Sequence, residues 1–309
     1  MSPNVETNTK CGRTDNDEAS AAHYMQDKET GVTMELRELA MQVAAVVEQA
    51  GAHALQNQLK PHDLTAMHEL DNINRKFNAE VDERLVRYCH ERINAIESHE
   101  CWEEVGSDVK PGGKYWCIGH IDGAINYVRN MHEWTVTVAL MNVDENGIAK
   151  PILGVVHAPA LNRTYLAAQG AGAIRIRTTP QGKKREKIMP STNPTLKGSV
   201  VSFGMSYFPK ESKRALQTVA AIAGQPADVK RVGPVSMDLC KVADGSYDAY
   251  FEPSLHSWDV SGVAAGAVVV WEAQGQLSRW DGTDIDWGSN NDIVATNGLI
   301  INDLKQYLH

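Results

Sequence analysis

Tyr115-Trp116-Cys117-Ile118-Gly119-His120-Ile121-Asp122-Gly123-Ala124-Ile125-Asn126-Tyr127-Val128 begins as an apolar β-type run and breaks on Asp122-Gly123. Far downstream, Tyr250-Phe251-Glu252-Pro253-Ser254-Leu255-His256-Ser257-Trp258-Asp259-Val260-Ser261-Gly262 runs on to Trp271-Glu272-Ala273-Gln274-Gly275. Each stretch ends a run of strand character on an aspartate. Either aspartate has an ordinary explanation as a turn or helix-cap residue.

Working outward, Leu36, Leu39, Val43, Val46, Val47 and Ala50 recur at helical spacing and predict a helix to about Leu59. A second helix is expected from near Val81 past Ile93. Runs of strand character follow at Trp134–Val143, Ile152–His157 and Thr164–Ala168. The first two are joined by Asp144-Glu145-Asn146-Gly147, a hairpin signal. The C-terminal half alternates strand (Ser199–Phe203), helices (Lys210–Ala223 and Ser236–Asp244) and strand (Tyr247–Glu252), with a last strand at Ile293–Ala295. Between Asp259 and Ala273, Val268-Val269-Val270 argues for strand. Ser261, Gly262, Ala264, Ala265 and Gly266 argue for a closely packed helix. This alternation predicts an α/β protein built as layers of sheet and helix.

Residues 1–33 are polar and aperiodic and predict a disordered tail, followed by one domain over 34–309. The 309 residues carry 42% hydrophobic and 22% charged side chains, enough for a sizeable core. A net charge of −9 argues against nucleic acid or an anionic membrane as partner. Lys183-Lys184-Arg185 reads as a solvated loop. Five cysteines without a C-x-x-C spacing, no signal-peptide pattern and no long apolar run predict a cytoplasmic protein.

The two opening stretches resemble the signatures of the inositol monophosphatase superfamily, D-P-I/L-D-G-T-x-N-F and W-D-x-x-x-G…E-A-G-G. The resemblance extends through Arg231-Val232-Gly233, Asp238-Leu239, Tyr247–Glu252 and the Gly154-Val155-Val156 hairpin, from about residue 36 to the C-terminus. It implies an α-β-α-β-α sandwich, a homodimer, and Mg²⁺-dependent hydrolysis of a small phosphorylated polyol, sugar or nucleotide by metal-bound water. Matched position by position, it makes Glu103, Ile121 (through its carbonyl), Asp122 and Asp259 the metal ligands. It places Gly123, Ala124 and Glu252 at the substrate, and Asp82 beside Glu103 and Asp122 in catalysis.

This sequence departs from the pattern where the family's chemistry is densest. Gly119 stands in place of the first aspartate, His120 in place of the proline and Ala124 in place of the threonine. The expected consequences are weak or partial Mg²⁺ occupancy and weakened hydrolysis, with Gly119→Asp plus Ala124→Thr restoring it. The alternatives are an inactive member that binds or regulates, or an enzyme repurposed for other chemistry. His120, one position along an extended segment, is expected to face away from the metals. His256 is expected to be packed or exposed rather than catalytic. Asp281-Gly282-Thr283-Asp284-Ile285-Asp286 is expected to be a turn.

Overall fold

A helical stripe comes first among the described residues. The computed structural model describes residues 15–58, 79–102, 108–206, 208–288 and 290–308, with backbone only for 15–33 and 79–82. Helix α1 (Asp15–Gln58) buries Leu36, Leu39, Ala40, Val43, Ala44, Val47, Ala50 and Ala54, successive positions of one face. Its backbone begins upstream of Met34, where the sequence places the start of order, while residues 1–14 lie outside the described residues. Helix α2 (Ala79–Asn94) packs beside it through Leu85, Cys89 and Ile93.

Both helices cover one face of a seven-stranded sheet whose strands follow chain order. These are β1 (Glu100–Cys101), β2 (Lys114–Ile118), β3 (Val136–Val143), β4 (Ala149–Ala158), β5 (Arg163–Ala168), β6 (Gly172–Thr179) and β7 (Gly182–Lys187). All neighbours are antiparallel except β1 and β2. The Asp144–Gly147 hairpin forms as expected, Asp144 N–H donating to Ile148 at 2.9 Å. The basic run is a correction. Lys183-Lys184-Arg185 lies in β7, an edge strand paired to β6, rather than in a loop. Lysines on an edge strand oppose pairing with a further chain.

Helix α3 (Ala124–Val128) joins β2 to β3 and buries Tyr127 and Val128 in the cluster with α1, whereas helix α4 (Pro209–Ile222) packs on the second sheet. That sheet has the order β11-β12-β10-β8-β9, from β8 (Val200–Phe203), β9 (Asp228–Lys230), β10 (Ala249–Leu255), β11 (Gln276–Arg279) and β12 (Asn291–Thr296). Between the sheets lie α5 (Val235–Ala243) and α6 (Val260–Glu272), in one apolar cluster with residues of both. Helix α4 and α7 (Ile301–Lys305) cover the outer face of the second sheet. The result is the layered α-β-α-β-α sandwich. Among the described residues no helix is long and apolar enough to cross a membrane.

The ambiguous segment is therefore helix α6, buried continuously from Ser261 to Val270. Its small residues explain why. A Cβ on Gly154 of β4 would stand 2.3 Å from the Ala265 carbonyl oxygen, and one on Gly266 would stand 2.6 Å from Leu239 of α5. Close approach on two sides outweighs the strand propensity of the three valines. At the far end of α6, Glu272 accepts the N–H groups of Gly170 (2.9 Å) and Gly172 (2.8 Å), which hold the β5–β6 turn. This glutamate of the second signature pins a turn. Glu272→Ala is expected to lower unfolding free energy by roughly 1 kcal/mol, the net worth of hydrogen bonds whose exposed and half-buried donors can turn to water. Urea denaturation read by fluorescence checks this, and an unchanged midpoint would show that the turn holds itself.

Candidate active site

The site begins where β2 runs out. Gly119 N–H still donates to the Thr137 carbonyl (2.9 Å), so Gly119 sits opposite Thr137 of β3. Asp122 and Thr135 then exchange backbone bonds of 3.0 and 2.9 Å, which ends the pairing. Gly123 turns the chain with φ of 87°. A side chain there would be strained by that φ and would bring its Cβ 3.0 Å from the Glu133 carbonyl oxygen. The turn is tied down by Asn126, whose amide donates to Glu133 (2.6 Å) and Val232 (3.2 Å).

Asp122 faces the start of α5. Its Oδ2 accepts both the Ser236 N–H (3.1 Å) and the Ser236 hydroxyl (2.6 Å). Gly123 N–H bonds the same carboxylate. The hydroxyl of Ser236 also meets that of Thr135 at 2.7 Å. Helix α6 closes over the group from the other side, since a Cβ on Gly262 would stand 2.9 Å from Asp122 Oδ2. Burial pushes the Asp122 carboxyl up from its ordinary value, against the pull of the Ser236 and Gly123 bonds.

Asp259 ends a 3-10 turn, Ser257–Asp259, just ahead of α6. Its Oδ2 accepts the His256 N–H at 3.0 Å, in a reciprocal cap with the His256 side chain. Burial raises this carboxyl well above the usual range, and the charges of Glu252 and Asp122 raise it further. Glu252, on β10, accepts the Tyr250 hydroxyl. Gly204 makes room for both, because a Cβ there would fall 2.2 Å from Glu252 Cδ and 2.3 Å from the Tyr250 hydroxyl. Burial pushes Glu252 up to about 7; the Tyr250 bond and Arg231 oppose that shift, and Asp122 and Asp238 add to it. Asp122, from the end of β2, thus comes within electrostatic reach of Glu252 and Asp259, which neighbour each other far downstream.

A two-cation centre needs a convergent set of oxygen donors. Among the described residues no group of three or more His, Cys, Asp or Glu side chains converges as a metal cluster. Asp122 and Asp259 each commit Oδ2 to the start of a helix. Gly119 adds no ligand, and the exposed His120 lies within electrostatic reach of Glu83 on α2. The described residues do not fit a two-ion cage. Glu103 lies outside the described residues. Of Asp82 only the backbone is described, in the first turn of α2. Ile121 and Ala124 are buried.

His256 is stacked on Trp258 (4.3 Å between centroids) and its Nε2 meets Glu211 at 3.0 Å, a packed residue as expected. Asp281 closes its own turn, accepting Thr283 N–H (2.9 Å) and hydroxyl (2.6 Å). The sequence reading missed Ser236, Thr137, Ser261 and Gly204, whose parts depend on contacts across the chain. It also missed the chemistry of Asp238. That fully buried acid accepts the Ser202 hydroxyl (2.9 Å), has no hydrogen-bond partner at Oδ1, and is pushed up by burial to about 6.

A family model described as the inositol monophosphatase family matches residues 18–309. A histidinol-phosphatase of Streptomyces coelicolor is 31% identical over 86% of this chain and 92% of its own. The fructose-1,6-bisphosphatase/inositol-1-monophosphatase of Thermotoga maritima is 29% identical over 75% of this chain and 84% of its own. In fold, the inositol monophosphatase of Anabaena superposes with a TM-score of 0.68 at 23% identity, covering 89% of this chain and 96% of its own.

Proposed function

Because the chain belongs to the inositol monophosphatase family, we propose that it is a phosphatase-derived enzyme for a small phosphorylated polyol, sugar or nucleotide, with hydrolysis much weakened. The observation carrying this reading is that the buried carboxyls of Asp122, Glu252 and Asp259 lie within reach of one another's charge, with Asp122 at the Gly123 turn. Buried carboxylates that raise one another favour a ligand rich in hydroxyls or bearing positive charge. Glu252, held near neutrality, can take or share the proton of a substrate hydroxyl. Asp122 and Asp259 are the groups that would meet Mg²⁺, weakly, since each has one oxygen already engaged.

The test is a phosphate-release screen over sugar, polyol and nucleotide monophosphates with Mg²⁺ or Mn²⁺ supplied. Slow release is expected for one class. Asp122→Asn and Asp259→Asn should each lower it by ~10²-fold, the usual effect of removing a catalytic electrostatic group. Release that survives both substitutions would take these carboxylates out of the reaction.

A second reading is favoured by the space at Gly119, where neighbouring side chains stand in the way of a carboxylate. It is a member that binds a phosphorylated metabolite without hydrolysing it. Saturable binding of such a compound, with no release across the panel, would select this reading.

A further inference from the structure

Gly119 differs from a simple deletion of a side chain. A Cβ built on it would stand 2.2 Å from Thr137 Oγ1, 2.7 Å from Ser261 Oγ and 3.3 Å from Ser261 Cβ. The first two distances are well inside van der Waals contact. The position is closed from two directions, by β3 below and by the first turn of α6 across. Thr137 is fully buried and Ser261 is 9% exposed. Thr137 Oγ1 also has no hydrogen-bond partner, an arrangement that costs free energy in a buried hydroxyl. Thr137 is β-branched, so two of its three staggered χ1 wells put a heavy atom into any given direction around Cβ. Ser261 Cβ is fixed by the backbone of a helix packed on β3 and β4. The side chains around Gly119 have therefore taken over the volume that a residue there would need.

We infer that Thr137 and Ser261 together close the position a metal-bridging carboxylate at 119 would occupy, so that the poor cation site rests on three residues and not on one. This goes beyond the activity reading and needs only that the chain has the family's fold. It also revises the expected rescue. Gly119→Asp with Ala124→Thr leaves both obstructing hydroxyls in place, and so does not rebuild the ligand.

The experiment uses the full chain and reads Mn²⁺ binding by calorimetry, independent of any phosphate release. Gly119→Asp alone is expected to bind Mn²⁺ no better than the parent. Gly119→Asp with Thr137→Ala and Ser261→Ala is expected to bind at least about tenfold tighter, since a further carboxylate becomes available to the cation. A second arm needs no metal. Gly119→Ala is expected to lower Tm by roughly 5 °C in the parent and by much less in the Thr137→Ala/Ser261→Ala background. Equal Tm losses in the two backgrounds would overturn the inference. So would a single Gly119→Asp variant that binds Mn²⁺ as tightly as the triple variant, or a folded triple variant that gains nothing. Should the triple variant not fold, the alanine cycle decides alone. Absence of phosphate release in the parent and in every variant would count against the proposed function and leave this inference standing on its binding data.

Discussion

Gly154→Ala is expected to destabilise the protein by about 3 kcal/mol or more, the upper range for overpacking a close-packed interior. The added methyl would meet the Ala265 carbonyl oxygen at 2.3 Å, with the Ala265 carbon and Cα each at 3.0 Å. All three are backbone atoms, so no rotamer change relieves the overlap. Strand β4 is hydrogen-bonded on both sides, to β3 and β5, and cannot retreat. Helix α6 is wedged between the sheets and meets Leu239 of α5 on its other flank. Urea denaturation of Gly154→Ala beside Gly288→Ala makes the comparison. At Gly288 the nearest atom to an added Cβ is an Asp286 oxygen at 3.5 Å, so that variant should shift little. A Gly154→Ala loss below about 1 kcal/mol would mean that α6 lifts from the sheet at small cost.

A pH-dependent loss of stability of similar size is expected from His157. This residue of β4 is 8% exposed, and its Nδ1 meets the Arg163 carbonyl oxygen (3.1 Å) and the Thr164 hydroxyl (3.0 Å). Thr164 donates to Glu48 of α1 at 2.8 Å, and Glu48 pairs with Lys183 of β7. Burial lowers the imidazole to about 4; Glu48 and the Arg163 carbonyl oppose that shift, and Lys183 adds to it. The folded protein thus holds His157 neutral in a range where the unfolded chain, titrating near 6.5, takes up a proton. The unfolded state binds more protons between these values, so stability is full above about pH 6.5 and falls as pH drops toward 4. The loss over that window is about 3 kcal/mol. His157→Asn keeps a polar group near the Nδ1 position and removes the titration. Unfolding free energies of parent and variant between pH 7 and 4 should therefore diverge, with the variant flatter. Parallel profiles would place the acid sensitivity elsewhere.

Much of the architecture was legible in the sequence because it rests on local pattern. The stripe from Leu36 to Ala50, the Asp144–Gly147 hairpin and the alternation of the C-terminal half each report their own element. One reading failed and one stayed open for the same physical reason. Lys183-Lys184-Arg185 looks like a loop because an edge strand is solvated, and its strand character comes only from pairing with β6. Val268-Val269-Val270 favours strand locally, and close packing against Gly154 and Leu239 decides otherwise. The site divides in the same way. Asp122, Gly123, Glu252 and Asp259 stand out within their motifs, and the three acids come within reach of one another's charge. Ser236, which engages Asp122, and Thr137 and Ser261, which close the space at Gly119, carry no local signal. Their parts follow from which strand and which helix happen to face them.

Helix α6 joins two tasks that natural selection can treat separately. Its run of small residues lets two sheets meet, and any enlargement there taxes the whole molecule. Its first turn borders the candidate site, and a serine there reaches the space beside Gly119 while the packed run continues beyond it. A lineage could therefore abandon one side chain of an inherited reaction and fill the gap from this turn, while the architecture stayed under full constraint. In such a lineage, drift at the pocket and conservation along the helix would proceed side by side, and a well-preserved scaffold would be a poor guide to preserved chemistry.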